Sequence, residues 1–139
     1  MSMASKEKNK LDDLRFDEKR LINSFKYAFS GIVQAYIGEQ NLKIHTLMAI
    51  VVIVGGVIFK ISYIEWLVCL ILIGLVLMAE FFNTALEYVV DLVSPGIHPL
   101  AKAAKDTASA GVLVFAIISA LIGTIIFLPK IVVLIGELL

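Results

Sequence analysis

One stretch decides the fold of this chain: residues 79–91, AEFFNTALEYVVD, which place three acids and an amide at the end of a long apolar segment. On an ideal helix, 100° per residue brings Glu80, Asn83, Glu87 and Asp91 within an arc of about 80°. We call these four residues the polar stripe. A buried, ionised carboxylate costs several kcal/mol unless a cation, hydrogen bonds or water compensate it, so the stripe predicts partners from other helices.

The composition predicts that lipid surrounds most of the chain. Of the 139 residues, 60% are hydrophobic, more than a water-soluble domain of this size could cover with polar surface. We therefore expect an all-α membrane protein. Basic and acidic residues balance at 12 each, which gives no reason to expect a nucleic-acid partner. The basic residues are concentrated before residue 30, which predicts a cytoplasmic N-terminus: Lys6, Lys8, Lys10, Arg15, Lys19, Arg20 and Lys26.

The N-terminal part of the chain predicts a tail and a surface helix. Residues 1–16 are polar and aperiodic, which predicts a disordered tail. Over residues 17–40, apolar residues recur at helical spacing and polar residues occupy the other side, which predicts an amphipathic helix lying in the membrane interface. The apolar positions are Leu21, Ile22, Phe25, Phe29, Ile32, Val33, Tyr36 and Ile37.

Three transmembrane helices are predicted after it, over residues 41–60, 64–93 and 99–128. The proline-rich residues 94–99 separate the last two, and Pro99 is suited to begin a helix. Pro129 bends or ends the third span, so residues 130–139 either extend that helix or lie in the outer interface. Three spans with the N-terminus inside place the C-terminus outside.

Two interpretations remain open for the acids of the stripe. Asp91 lies nearest the helix break, where it could simply solvate the helix end and pair with Lys102 or Lys105. Glu80 follows an uninterrupted apolar run, so a functional role inside the membrane is the default interpretation.

Glu39 provides a second acid at the same level, with two alternatives. If the first helix continues past Gly38, Glu39 extends its buried side and can share a cation with Glu87. Two carboxylates with open positions suit Mg²⁺, which keeps waters and accepts phosphate oxygens. Alternatively, Gly38 ends the helix and leaves Glu39 in water.

Lys105 and Asp106 would bring further charge to this level of the membrane. The lysine could neutralise phosphate charge, or the two residues could form a bland surface pair. Acids, an amide and a lysine at one interface fit phosphoryl transfer, in which catalysis is mainly positioning and charge stabilisation.

These residues also resemble a known family, the small integral-membrane diacylglycerol kinases and undecaprenol kinases of prokaryotes. The resemblance covers roughly residues 20 to 130, and the version with His45 is more similar to the undecaprenol kinases of Gram-positive bacteria. The matching motifs are Glu39-x-Asn41-x-x-x-His45, Glu80-x-x-Asn83-Thr84-Ala85-x-Glu87-x-x-x-Asp91, His98-Pro99-Leu100-Ala101-Lys102 and Ala101-Lys102-Ala103-Ala104-Lys105-Asp106.

The resemblance implies one membrane kinase domain over residues 17–139, in a homotrimer in a bacterial cell membrane with active sites shared between subunits. ATP would be the phosphoryl donor, with Mg²⁺, and a membrane lipid alcohol the acceptor. The implied roles are a general base for Glu80, orientation of the reacting groups for Asn83, magnesium binding for Glu39 and Glu87, and ATP binding for Lys105, Asp106, Asp91, Lys26 and Tyr27.

Undecaprenol is the predicted acceptor, and diacylglycerol is the alternative. Two other classes of protein compete with a kinase. A small transporter would use intramembrane acids as a proton relay, but the acids cluster at one interface and no inverted repeat is evident. In a structural membrane subunit, Glu39, Glu87 and Lys105 would only lock helices together.

Overall fold

The computed structural model describes residues 18–138, and the predicted tail, residues 1–16, lies outside the described residues. This part of the chain is helical and contains no strand. The helices are α1 Glu18–Gly38, α2 Gln40–Ile58, α3 Tyr63–Val93 and α4 Pro99–Leu138. The predicted all-α class is confirmed, and each predicted helix has its counterpart.

Three of the four helices, α2, α3 and α4, are long and apolar enough to cross a membrane. The 19 residues of α2 rise about 28 Å, close to the roughly 30 Å of the hydrocarbon core. The 31 residues of α3 rise about 46 Å, so α3 can carry the polar stripe at its C-terminal end beyond the hydrocarbon. The three predicted spans are therefore confirmed by length and composition.

The chain divides into two compact units, residues 1–34 and 35–139. The described part of the first unit is residues 18–34 of α1, and its large apolar side chains are exposed, with Ile22, Phe25 and Phe29 at 66%, 70% and 68%. An exposed apolar side is typical of a helix that lies on a membrane, although the interfacial location stays a prediction. A single kinase domain over residues 17–139 likewise stays a prediction.

The turn between α2 and α3 forms a tightly packed end of the second unit. Lys60 adopts the left-handed backbone conformation, with φ 49°, and reverses the chain. Ser62 then caps α3: its hydroxyl accepts from the Glu65 backbone N–H, and the Glu65 carboxylate accepts from the Ser62 N–H. A Cβ added to Gly56 would lie 2.7 Å from the Trp66 ring. Because only a glycine allows this approach, the ring can cover α2.

Side chains from the turn and from the two helices α3 and α4 complete this closed end, which we define as residues 55–66 and 126–130. Ile61, Cys69 and Ile126 are buried together, and the rings of Phe59 and Phe127 meet edge to face with centroids 6.2 Å apart. The cysteine therefore packs as a small apolar side chain.

At the opposite end, residues 94–98 connect α3 to α4, and α4 begins at Pro99 as predicted. α4 continues past the predicted span of residues 99–128, through Pro129 to Leu138, so residues 130–138 extend the helix, which is one of the two alternatives for this segment. A proline removes one backbone hydrogen bond from a helix. In lipid, however, no water competes for the remaining backbone groups, so an apolar segment keeps its helical hydrogen bonds on both sides of the proline.

Candidate functional site

The polar stripe of α3 lies partly inside the protein. Glu80, Asn83 and Thr84 are 1%, 6% and 2% exposed, and they are the buried polar residues of the described chain. Thr84 Oγ1 donates to the Glu80 carbonyl oxygen at 3.0 Å, so its hydroxyl is satisfied within the helix. Glu80 and Asn83 instead direct their polar side chains to groups outside that backbone.

The partner of Glu80 is His45 on α2, whose Nε2 lies 3.2 Å from Glu80 Oε1. The Glu80 side chain is 2% exposed and that of His45 is 24% exposed. Sequence reasoning assigned no role to His45, although it stands out as a histidine ahead of the apolar run of α2. The expectation that Glu80 needs a partner from another helix is met by this residue.

Asn83 holds the next acid of the stripe. Its Nδ2 donates to Glu87 Oε1 at 2.9 Å, one helical turn away. Asn83 Oδ1 is buried and has no hydrogen-bond partner among the described residues. A buried carbonyl oxygen without a donor is costly, so this atom is available to a hydroxyl, a water or a cation that the site receives.

Lys105 contacts Asp91 across the connection between α4 and α3. The distance from Nζ to Oδ1 is 2.6 Å, and the side chains are 33% and 63% exposed. Asp106 instead pairs with Lys102 one turn away, on the solvent-exposed side of α4. The predicted contact between Asp91 and Lys105 is therefore present, whereas the alternative pair of Lys105 with Asp106 does not form, because Asp106 pairs with Lys102.

Glu39 lies at the same end of the helices as the polar stripe. α1 ends at Gly38, as the second alternative expects, and Glu39 is extended, with φ −106° and ψ 120°, as the N-cap of α2. This break leaves Glu39 partly buried, not free in water. Glu39 and Glu87 both lie close enough to Glu80 to interact with it electrostatically.

Two contacts hold the junction between α1 and α2 against α3. The Tyr36 hydroxyl and Thr46 Oγ1 are hydrogen-bonded at 2.5 Å, and the Tyr36 ring meets Phe81 edge to face. A Cβ on Gly38 would lie 3.2 Å from the Tyr88 hydroxyl, so the glycine lets Tyr88 approach the residue before Glu39. The acids from the junction and from α3 are thereby kept together.

Two further residues are predicted to bind ATP. Lys26 and Tyr27 belong to the first unit, on α1, and both are exposed, with Tyr27 at 71%. Their part in nucleotide binding stays a prediction.

The acids are suited to a divalent cation that brings its own remaining ligands. Among residues 18–138, no group of three or more His, Cys, Asp or Glu side chains could hold a metal by itself. Glu39 and Glu87 have no salt bridge within the described chain, whereas Asp91, Asp106 and Glu80 have partners. Two carboxylates without a salt bridge, together with the unpartnered Asn83 Oδ1, fit Mg²⁺, which takes one or two protein carboxylates together with water and phosphate oxygens.

A cavity of about 610 Å³ begins at His45 and continues between α2, α3 and α4. Small side chains make the space, including Ala49, Ala116, Ala120 and Gly123, and its other end lies at the closed end beside Phe127. The Ser119 hydroxyl is buried without a partner among the described residues. The buried acid is thus next to an apolar space, with His45 between them.

Comparison with known proteins places these features among lipid kinases. Residues 26–127 match the family model of the prokaryotic diacylglycerol kinases. The chain is 44% identical over 118 residues to the undecaprenol kinase of Bacillus subtilis, covering 85% of this chain and 96% of that protein. It is 39% identical to the diacylglycerol kinase of Synechocystis, covering 78% of this chain and 63% of that protein. It is 31% identical to the diacylglycerol kinase of Escherichia coli K12, covering 72% of this chain and 82% of that protein.

Proposed function

Because the chain belongs to the prokaryotic diacylglycerol kinase family, we propose that this membrane lipid kinase transfers the γ-phosphoryl group of ATP to the hydroxyl of undecaprenol. The observation that carries the proposal is the buried Glu80 beside an apolar cavity, with Glu39 and Glu87 in electrostatic range. Such a site lets a lipid keep its hydrocarbon in the membrane while its hydroxyl meets a carboxylate.

The side chains divide the chemistry between them. Glu80 takes the proton of the lipid hydroxyl, and Asn83 orients the reacting groups through its unpartnered Oδ1. Glu39 and Glu87 hold Mg²⁺, which when bound neutralises charge on the ATP phosphates. Lys105, positioned by Asp91, contacts the phosphates. Asp106, Lys26 and Tyr27 contribute to binding of the nucleotide.

The membrane arrangement follows from the same proposal. ATP is cytosolic, so the end that carries the acids faces the cytoplasm of a bacterial cell, with the N-terminus inside and the C-terminus outside. Three copies assemble as a homotrimer, in which neighbouring subunits complete each active site. The many exposed large side chains of α2–α4 supply apolar surface for both lipid and neighbouring copies.

Undecaprenol is favoured over diacylglycerol by the relative from Bacillus subtilis, which the chain covers almost from end to end. The relatives named diacylglycerol kinase have lower identities, between 31% and 39%, and keep diacylglycerol as the second candidate.

The test is a competition assay on the full chain. Purified protein in lipid nanodiscs receives Mg²⁺, γ-labelled ATP and equal amounts of undecaprenol and diacylglycerol, and the labelled lipids are separated. We expect labelled undecaprenyl phosphate to dominate. Equal labelling of both lipids would contradict the preference, and the absence of any labelled lipid would contradict the kinase and leave a transporter or structural subunit.

A variant pair tests the role of the acid itself. Glu80→Gln keeps the size of the side chain but removes the base, so we expect lipid phosphorylation to fall at least about 100-fold. Glu65→Gln is the matched control, because it makes the same change on α3 at the closed end. Size-exclusion chromatography of both variants checks assembly. Loss of the oligomer in Glu80→Gln would favour the structural subunit, and unchanged activity would exclude Glu80 as the base.

A further inference from the structure

We propose that His45 is a positioning residue for the phosphoryl transfer: its imidazole holds Oε1 of Glu80, so that Oε2 is directed to the lipid hydroxyl. The inference rests on the proposed function, because it concerns the same acid. It starts from the 3.2 Å separation of His45 Nε2 and Glu80 Oε1.

Among the titratable side chains that interact with Glu80, His45 is the one that can carry a positive charge. A side chain that is 2% exposed has almost no water to hydrogen-bond with. The other titratable groups that interact with Glu80 electrostatically are the acids Glu39 and Glu87, which repel a carboxylate. Without His45, nothing among these groups would hold the Glu80 carboxylate in one orientation.

The helix that carries His45 is fixed in register with α3 by a neighbouring contact. Thr46 Oγ1 donates to the Leu42 carbonyl at 2.8 Å, so the single hydroxyl proton of Thr46 is used and Tyr36 must donate to Thr46. The Tyr36 ring in turn packs on Phe81, the residue after Glu80. Two adjacent residues of α2 are therefore connected to two adjacent residues of α3, which restricts rotation of either helix.

His45 also lines the cavity, so removal of its ring would enlarge a space that already exists. Free imidazole, which has the same ring as the missing side chain, can then enter through the cavity and contact Glu80. This geometry permits chemical rescue, a readout that a merely structural side chain would not give.

The experiment measures lipid phosphorylation by wild type, His45→Ala and the control Met48→Ala, each with and without free imidazole. Met48 lines the same cavity on α2. We expect His45→Ala to lower kcat about 100-fold, the effect of a misplaced reacting group, with KM for ATP unchanged. Imidazole should restore activity to His45→Ala and leave Met48→Ala unaffected.

A second variant keeps the inference testable if His45→Ala does not fold. His45→Gln retains a hydrogen-bond donor, so we expect it to keep more activity than His45→Ala. If His45→Ala is unfolded, we expect His45→Gln to assemble and to phosphorylate lipid within about tenfold of wild type. Where His45→Ala folds, it should cause no further loss in the Glu80→Gln background, because the two residues act as a unit.

Three results would overturn the inference: an unchanged kcat in His45→Ala, a loss that imidazole does not reverse, or full additivity of His45→Ala with Glu80→Gln. In each of these cases wild-type protein still phosphorylates lipid, so the result contradicts the role of His45 and not the proposed function. A wild-type protein that phosphorylates no lipid would instead overturn the proposed function, and this inference with it.

Discussion

At the closed end of α2–α4, Glu65 accepts from the Ser62 backbone and lies 2.9 Å from Lys130. At the end with the polar stripe, Glu39 and Glu87 have no salt bridge in the described chain, and Asn83 Oδ1 has no donor. The acid inside the closed end is thus paired, whereas two acids at the other end have no salt bridge. Folding alone would favour partners at both ends, so the acids without a salt bridge indicate the end that receives ligands.

The largest effect is expected where an unpaired acid depends on a buried amide. Asn83→Ala removes the donor that holds Glu87. With Mn²⁺ as a spectroscopic substitute for Mg²⁺, we expect the affinity for the metal to fall by about 10- to 100-fold, as it does when residues that hydrogen-bond to metal ligands are removed. Electron paramagnetic resonance of the purified protein measures free Mn²⁺ directly.

Ser119→Ala is the matched control for this change, because Ser119 also has a buried atom without a partner but lies in the cavity wall. Its Mn²⁺ affinity should equal that of wild type. If Asn83→Ala also binds Mn²⁺ normally, the excess of acids at this end does not serve a metal.

An intermediate effect is expected at the closed end, where packing and not charge dominates. Gly56→Ala forces a Cβ to within 2.7 Å of the Trp66 ring, so we expect the free energy of unfolding to fall by about 1–3 kcal/mol. Gly74→Ala on α3 is the control: a Cβ there meets nothing within 4 Å, and alanine favours a helix. Chemical unfolding in micelles measures both, and equal stabilities would mean that the ring moves aside freely.

The smallest effect is expected from the charge pair at the closed end. The Glu65 and Lys130 side chains are 26% and 29% exposed. A double-mutant cycle with Glu65→Gln and Lys130→Met should give a coupling free energy below about 1 kcal/mol. A coupling well above that value would show that lipid strengthens the pair, and would make charge as important as packing at this end.

The sequence was sufficient for the helices and for the polar stripe. Helical periodicity places Glu80, Asn83 and Glu87 on one side of α3 whatever packs against it, and Pro99 begins α4 for a local backbone reason. These features depend on residues within one or two turns of each other, which is why they could be predicted from the chain alone.

The contacts between helices could not be predicted in the same way. The pairing of His45 with Glu80 depends on how α2 and α3 are aligned, and that alignment is set by the turn at Lys60 and by the approach of Trp66 to Gly56. Whether the first helix ends at Gly38 was left open for the same reason, because a single extended residue between two helices hardly changes the apolar pattern.

The continuation of α4 through Pro129 bears on the depth at which the chain sits in the bilayer. Counted from Asp106, the last charged residue before the apolar run, about 20 residues cross the hydrocarbon and bring the far boundary close to Leu128. Proline has no N–H to donate, so the carbonyl of Ile125 loses its helical partner there. Hydration of that carbonyl would cost least where the headgroups begin, so in a bilayer Pro129 would favour an immersion level of α4 that places it there, and bilayers of different thickness would disturb that level.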